Sequence, residues 1–88
     1  MRVVCLYKRD TDYGLEVEEY LRDVNHHETR SRIEEIDPET VEGEILARAH
    51  DVLRYPAILA LDNNGSVVQS WIGKPLPMID EVVYYLNS

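Results

Sequence analysis

The fold is decided by residues 57–72, which have the sequence AILALDNNGSVVQSWI. Ala57–Leu61 is continuously apolar, as expected of a strand that is buried on both faces. Residues 62–65 contain Asn-Gly, which supplies the positive φ angles of a tight hairpin turn. Residues 66–72 then form the return strand, so the segment predicts an antiparallel hairpin.

Alternation along the return strand predicts which of its side chains share a face of the sheet. Val67, Gln69 and Trp71 are expected on one face, and Val68, Ser70 and Ile72 on the other. Trp71 is then expected either to complete the core or to contribute to a contact surface.

Strands and helices alternate in the rest of the chain. The apolar residues 3–7 predict a buried strand. Residues 31–37 carry Ile33 and Ile36 among charges and predict a poorly buried strand at a sheet edge. Three amphipathic helices are predicted from apolar side chains that recur every three or four positions. These side chains are Val17, Tyr20, Leu21 and Val24, then Val41, Ile45, Leu46 and Ala49, then Ile79, Val82, Val83 and Leu86.

Capping residues indicate where the first two helices begin. Thr11 or Asp12 is a suitable N-cap for the first helix. Asp37 before Pro38 predicts the start of the second helix, and Gly43 is expected to weaken its first turn, so that the regular part begins near residue 42.

The resulting element order is β-α-β-α-β-β-α in a single domain over residues 1–88. The first β-α-β unit should be parallel, with a right-handed crossover. The last two strands should be antiparallel. We therefore expect an α/β fold with a four-stranded mixed sheet and helices on both of its faces.

The charge balance bears on the class of partner. The chain of 88 residues has a formal net charge of −8, which disfavours binding to nucleic acid and to anionic membrane surfaces. The apolar run near the N-terminus is too short for a signal peptide or a membrane span. We therefore expect a cytoplasmic protein with no nucleic-acid or membrane partner.

Residues 46–57, LARAHDVLRYPA, resemble the segment of the thioredoxin and glutaredoxin family that leads from the second helix into the third strand. The hairpin turn and Gly73 after the fourth strand resemble the same family. The resemblance implies a minimal thioredoxin-like fold with a cis peptide bond before Pro56. It also implies a groove beside this proline that binds extended protein segments, in which Tyr55 pairs with the peptide backbone.

The family's dithiol motif is absent from this chain. Aligning the first strand places Thr11, Asp12, Tyr13 and Gly14 where the family has Cys-x-x-Cys. Dithiol exchange needs a thiolate that attacks a disulfide and a second thiol that resolves the intermediate. We therefore expect no catalytic residue at this position, and neither monothiol exchange nor cluster binding.

The single cysteine, Cys5, lies within the first predicted strand. Free Cys is among the most buried residue types. No basic neighbour is predicted to stabilise its thiolate. We interpret Cys5 as a core thiol, with a redox sensor or an intermolecular disulfide as the alternative.

No metal site and no cofactor are expected. His26 and His27 are adjacent, so on a helix they point about 100° apart and form no chelating face. Tight glutathione binding is not expected, because residues 73–76 (GKPL) replace the Gly-Gly and acidic residue that the family carries after the fourth strand. The glutamates are expected on solvated faces rather than in acid–base pairs.

The sequence favours a non-catalytic module that binds a protein or an extended peptide. The expected contact residues are Thr11, Asp12, Tyr13, Gly14, Tyr55, Pro56 and Gly73. One alternative is an atypical thiol–disulfide oxidoreductase or redox sensor that uses Cys5. A second is a structural domain that self-associates through Tyr84 and Tyr85, so we expect a monomer or a weak homodimer.

Overall fold

The computed structural model describes residues 1–27 and 29–88. The chain is an α/β domain whose element order matches the predicted one. The strands are β1 (Arg2–Leu6), β2 (Glu34–Ile36), β3 (Ala57–Leu61) and β4 (Val67–Ile72), and the helices are α1 (Gly14–Asn25), α2 (Val41–Ala49) and α3 (Ile79–Leu86).

The four strands form one open, mixed sheet in the order β2-β1-β3-β4. β1 pairs with β2 in parallel, whereas the β1–β3 and β3–β4 pairs are antiparallel. The predicted parallel pair, antiparallel hairpin and edge position of β2 are confirmed. β2 is shorter than predicted, with three residues. The N–H of Ile33 donates to Asn25 Oδ1 at 3.1 Å, so Ile33 lies outside the strand ladder.

Alternate side chains of the sheet separate into two core clusters. The first cluster joins one set of strand side chains to α1 and α3, and contains Val3, Cys5, Tyr7, Val17, Leu21, Val24, Ile33, Ile58, Ala60, Val82 and Leu86. The second cluster joins the other set to α2 and to the loop after it, and contains Val4, Leu6, Ile36, Ala47, Val52, Ala57, Leu59 and Leu61. Each buried Val, Leu or Ile contributes roughly 1.5–3 kcal/mol relative to exposure, so these clusters hold the sheet together.

The predicted alternation of β4 is wrong at its start, because the strand contains a bulge. The pairing changes between Ala60 and Leu61, which lie opposite Gln69 and Val67. Val68 is the extra residue, and it shifts Val67 to the other face of the sheet. Val67 therefore packs against the second cluster, whereas Trp71 packs against the first.

α2 begins at Val41, close to the predicted start of its regular part near residue 42. Its N-cap is Thr40, whose Oγ1 accepts a hydrogen bond from the Gly43 N–H at 3.1 Å. Asp37 instead caps the preceding turn, where its Oδ1 accepts from the Glu39 N–H at 2.8 Å. The expectation that Asp37 caps the helix is therefore wrong.

The buried face of α2 also differs from the predicted one. Val41 and Ile45 are 78% and 61% exposed, whereas Gly43 and Ala47 face the protein. A Cβ on Gly43 would overlap the carbonyl oxygen of Asp37. Of the predicted apolar residues, Leu46 does pack against the second cluster. The rest of the contact is made by small residues, and Gly43 permits a close approach instead of merely weakening the first turn.

Gly43→Ala tests this close approach. Alanine normally stabilises a helix interior by about 1 kcal/mol relative to glycine. Here the new methyl group must displace the Asp37 carbonyl, so we expect a loss of roughly 1–3 kcal/mol in the free energy of unfolding measured in urea. Val41→Ala, at an exposed position of the same helix, is the control and should change stability by no more than about 0.5 kcal/mol. A stabilising Gly43→Ala would contradict the packing described.

Candidate functional site

Four loops meet at one end of the sheet, because the pairing of the strands brings their ends together there. Leu6 lies opposite both Ile36 and Ala57, and Ala57 lies opposite Ile72. The ends of β1, β2 and β4 and the start of β3 are therefore neighbours. We call the surface formed there the loop edge; it comprises residues 7–13, 37–40, 50–56 and 73–78.

A cleft of about 630 Å³ opens at the loop edge between the segment after β1 and the segment after β2. One wall is formed by residues 7–11, and Glu35, Asp37 and Glu39 contribute to the other. Lys8 and Glu39 approach each other to 3.6 Å across the cleft, but both side chains are exposed. Exposed ion pairs contribute about 0–1 kcal/mol, so this pair does little to hold the cleft shut.

The floor of the cleft is set by a hydrogen bond between Tyr7 and Glu35. Tyr7 is only 3% exposed, and its hydroxyl donates to Glu35 Oε1 at 2.6 Å. Arg9 Nη2 lies 3.4 Å from the same oxygen. Burial, reinforced by the hydrogen bond to Glu35, raises the pKa of Tyr7 to about 12. At neutral pH the phenol therefore keeps its proton and acts as a donor, not as a base.

Residues 11–14 form a turn whose hydrogen bonds stabilise the loop and do not cap the N-terminus of α1. The Thr11 hydroxyl donates to the Lys8 carbonyl at 2.6 Å, and the Thr11 carbonyl accepts from the Gly14 N–H at 3.0 Å. The N-cap position of α1 is Tyr13, with no side-chain cap hydrogen bond. The expectation that Thr11 or Asp12 caps α1 is therefore wrong, because the N-cap position falls on Tyr13 and the Thr11 hydroxyl is engaged by the Lys8 carbonyl.

Gly14 is buried where α1 meets this loop. A Cβ at this position would overlap the carbonyl oxygen of Arg9. The backbone of the loop and the first turn of α1 pass too close together for a side chain. A cysteine at position 14 would therefore require the loop to move, which adds a steric reason to the chemical one against a dithiol motif here.

The other side of the predicted groove is formed by Tyr55 and Pro56. Their peptide bond is cis, as is the bond between Lys74 and Pro75. Pro56 is fully buried, and its carbonyl accepts a hydrogen bond from the Gly73 N–H at 2.8 Å. Tyr55 is half-buried against the second cluster. Gly73 and Pro56 thus hold the loop in place, and Tyr55 is the member of this group that offers a surface.

A second, smaller cavity lies beside Tyr55. Its volume is about 280 Å³, and its lining combines apolar residues such as Val52 and Leu53 with the charged residues Glu44, Arg48 and Asp51. Leu53 is 88% exposed, so this apolar side chain is accessible to a ligand in the cavity. The cavity could accept an apolar side chain of a ligand that passes Tyr55.

The structure distributes the predicted contact residues over the loop edge. Thr11 lines the larger cleft, and Asp12 is exposed. Tyr13 packs against the first cluster and Tyr55 against the second, so the two rings lie toward different faces of the sheet. They flank the loop edge from two sides instead of forming one aromatic wall.

Glu35 is the site residue that the sequence reasoning missed. Glu35 is exposed on the edge strand β2, as expected, and it lies on the same face of the sheet as Cys5, the residue opposite it on β1. The available signal was Tyr7: a buried tyrosine hydroxyl usually finds a polar partner, and the adjacent strand carries Glu35.

Cys5 is completely buried in the first cluster. Burial, with a smaller effect from the nearby charge of Glu35, raises the pKa of the thiol to about 12. The thiolate is the reactive form of cysteine, so this environment suppresses thiol chemistry at neutral pH.

The two adjacent histidines lie at the end of α1. His26 is the C-cap, and His27 Nδ1 is 3.0 Å from the Asp23 carbonyl oxygen. Within residues 1–27 and 29–88, no three or more His, Cys, Asp or Glu side chains gather in a group that could hold a metal ion. In the same described ranges, no helix is both long and apolar enough to cross a membrane.

Comparisons with known proteins identify no relative. No protein-family model, no curated protein and no solved structure matches the chain significantly.

The burial of Cys5 predicts its reactivity. In native protein at neutral pH we expect a thiol reagent to label Cys5 orders of magnitude more slowly than in denaturant, because the thiol is inaccessible and protonated. The control is Thr11→Cys in a Cys5→Ala background, which places a thiol in the open cleft and should be labelled rapidly without denaturant. Equal native and denatured rates for Cys5 would contradict its core position.

The raised pKa values also predict how stability depends on pH. In the unfolded chain, Cys and Tyr ionise near their ordinary values of about 8.5 and 10. In the folded chain both Cys5 and Tyr7 hold their protons up to about pH 12. The stability that this provides is complete below about pH 8.5 and is lost as the pH rises toward the folded-state pKa.

Urea unfolding at increasing alkaline pH should therefore show a falling free energy of unfolding. The fall should be shallower in Tyr7→Phe, which removes one of three Cys and Tyr side chains with a raised pKa, the others being Cys5 and Tyr20. Tyr84→Phe, at a tyrosine that is 68% exposed, is the matched control and should keep the wild-type slope. Identical slopes in all three proteins would contradict the assignment to Tyr7.

Proposed function

We propose that this chain is a thioredoxin-like module that carries out no dithiol chemistry and binds an extended segment of a protein at the loop edge. The element order, the parallel β1–β2 pair and the antiparallel β3–β4 hairpin support the fold assignment. The membership of the two core clusters supports a sheet covered by α1 and α3 on one face and by α2 on the other.

The observation that carries the binding proposal is the state of the Tyr55 backbone. Among the described residues, the N–H and C=O of Tyr55 take part in no backbone hydrogen bond, although Pro56 beside it is bonded to Gly73. Backbone groups that stand next to a strand and lack partners are suited to pair with an added extended chain. A peptide lying along Tyr55 would complete these hydrogen bonds.

The surroundings of Tyr55 define which segment would fit. The cavity lined by Val52 and Leu53 suits one apolar side chain. Four carboxylates line the larger cleft against two cations, Lys8 and Arg9, and the whole chain has a net charge of −8, so a basic segment would be drawn to the site. The proposed ligand is an extended, basic peptide with an apolar anchor.

The redox alternative gains no support from Cys5, which is buried and protonated. A single reduced thiol within the core is compatible with the reducing cytoplasm. We therefore place the proposed module there and assign it no cofactor.

The test is a titration of isotope-labelled protein with extended peptides that combine basic residues and one large apolar residue, followed by amide chemical shifts. We expect the largest shifts at Tyr55 and Thr11 and none at Gly65, which lies in the hairpin turn at the opposite end of β3. Tyr55→Ala should weaken binding roughly tenfold, about 1.4 kcal/mol. Leu15→Ala, on the exposed face of α1, is the control and should bind normally.

A peptide methylated at the backbone nitrogen that faces Tyr55 separates strand addition from side-chain contact alone. Strand addition predicts a loss of binding for this peptide, because the methyl group removes the donor. Unchanged binding, or shifts that cluster away from residues 7–13 and 50–56, would overturn the proposed site.

A further inference from the structure

β4 is one of the two edge strands of the sheet, and its composition is unlike that of the rest of the chain. Residues 63–73 contain no Asp, Glu, Lys or Arg, although charged residues make up 30% of the sequence. Val68, Gln69 and Ser70 are exposed along this strand. Proteins usually protect an open strand edge with charges, proline, short length or a β-bulge. β4 has no charge, no proline and no short length, and its bulge at Val68 leaves the pairing of residues 69–72 regular.

β2, at the other edge, is protected in two ways. It has three residues, and Glu34 forms an ion pair with Arg2 at 2.8 Å. The sheet therefore has one charged, short edge and one neutral, long edge. This asymmetry indicates that β4 is the edge available for pairing.

The backbone of β4 shows which of its groups are available. The Gly73 N–H donates to the Pro56 carbonyl, so in an antiparallel ladder the alternate residues Ser70 and Ile72 direct their backbone groups away from β3. The Ser70 N–H donates instead to the side-chain oxygen of its neighbour Gln69, at 2.9 Å. An exposed glutamine side chain is mobile and can be replaced by a main-chain carbonyl.

We propose that β4 pairs antiparallel with β4 of a second copy of this chain. The occupant follows from charge. Two copies that each carry −8 repel each other over most of their surfaces, and a neutral strand lets them meet without opposing like charges. Antiparallel pairing of identical strands is self-complementary about a two-fold axis, as a homodimer interface requires.

An aromatic surface beside β4 would extend this interface. Trp71 packs edge-on against Tyr85, with ring centroids 5.6 Å apart, and Tyr85 packs in the same way against Tyr84 at 5.0 Å. Tyr84 is 68% exposed at the end of this row. A two-fold axis perpendicular to the sheet keeps both rows on the same side, so the rows of the two copies would lie on one face of the joined sheet. Tyrosine is favoured in such positions because its ring is apolar and its hydroxyl is polar.

Sedimentation equilibrium over a wide range of protein concentration tests the proposal. We expect a monomer–dimer equilibrium that strengthens with added salt, because salt screens the repulsion between the acidic copies. Ser70→Lys places like charges near the two-fold axis and should weaken dimerisation by roughly tenfold or more. Val41→Lys adds the same charge at an exposed residue of α2, away from β4, and should dimerise at least as well as the wild type.

Amide hydrogen exchange gives a second readout that does not depend on a variant folding. The Ser70 amide should exchange more slowly at high protein concentration, whereas amides of the β2 edge should be unaffected. A wild-type chain that stays monomeric at all concentrations would overturn the proposal. So would a dimer that tolerates Ser70→Lys in protein with a native circular dichroism spectrum. These outcomes are independent of peptide binding at Tyr55, which lies on a different surface.

Discussion

The pairing of β1 on both of its sides is the constraint on which the rest of the structure depends. β1 lies between β2 and β3, and its alternate side chains are buried in the two core clusters. The same pairing brings Leu6 next to Ile36 and Ala57, which collects the four loops at one edge. The helices pack against the two core clusters to which β1 contributes side chains.

The elements could be predicted from the sequence because their signals are local. Continuous apolar runs and the Asn-Gly turn depend on neighbouring residues alone, and β1, β3 and the hairpin follow from them. The face of α2 could not be predicted in this way. Large apolar side chains usually mark the buried side of a helix, but here Gly43 and Ala47 mark it, since the helix lies close to its neighbours. The bulge at Val68 also depends on the pairing of two strands rather than on either strand alone.

The candidate site was predictable in part, for a similar reason. Thr11 and Tyr55 were identified from the resemblance, and the structure places both at the loop edge. The cleft itself depends on the contact between Tyr7 and Glu35, which are 28 residues apart in the chain. Such a contact appears only once the parallel register of β1 and β2 is known. Gly14 is a related case, because its role depends on how closely the Arg9 carbonyl approaches.

The difference between the two edges of the sheet determines how large an assembly this chain can form. A sheet in which both edge strands can pair with further copies could grow without limit into a cross-β fibre. In this protein the short, charged strand β2 ends one side of the sheet. Once β4 is paired, only the β2 strands remain at the outer edges, and these three-residue strands present few backbone groups that could pair with a further copy. Such a chain can associate without becoming a seed for aggregation.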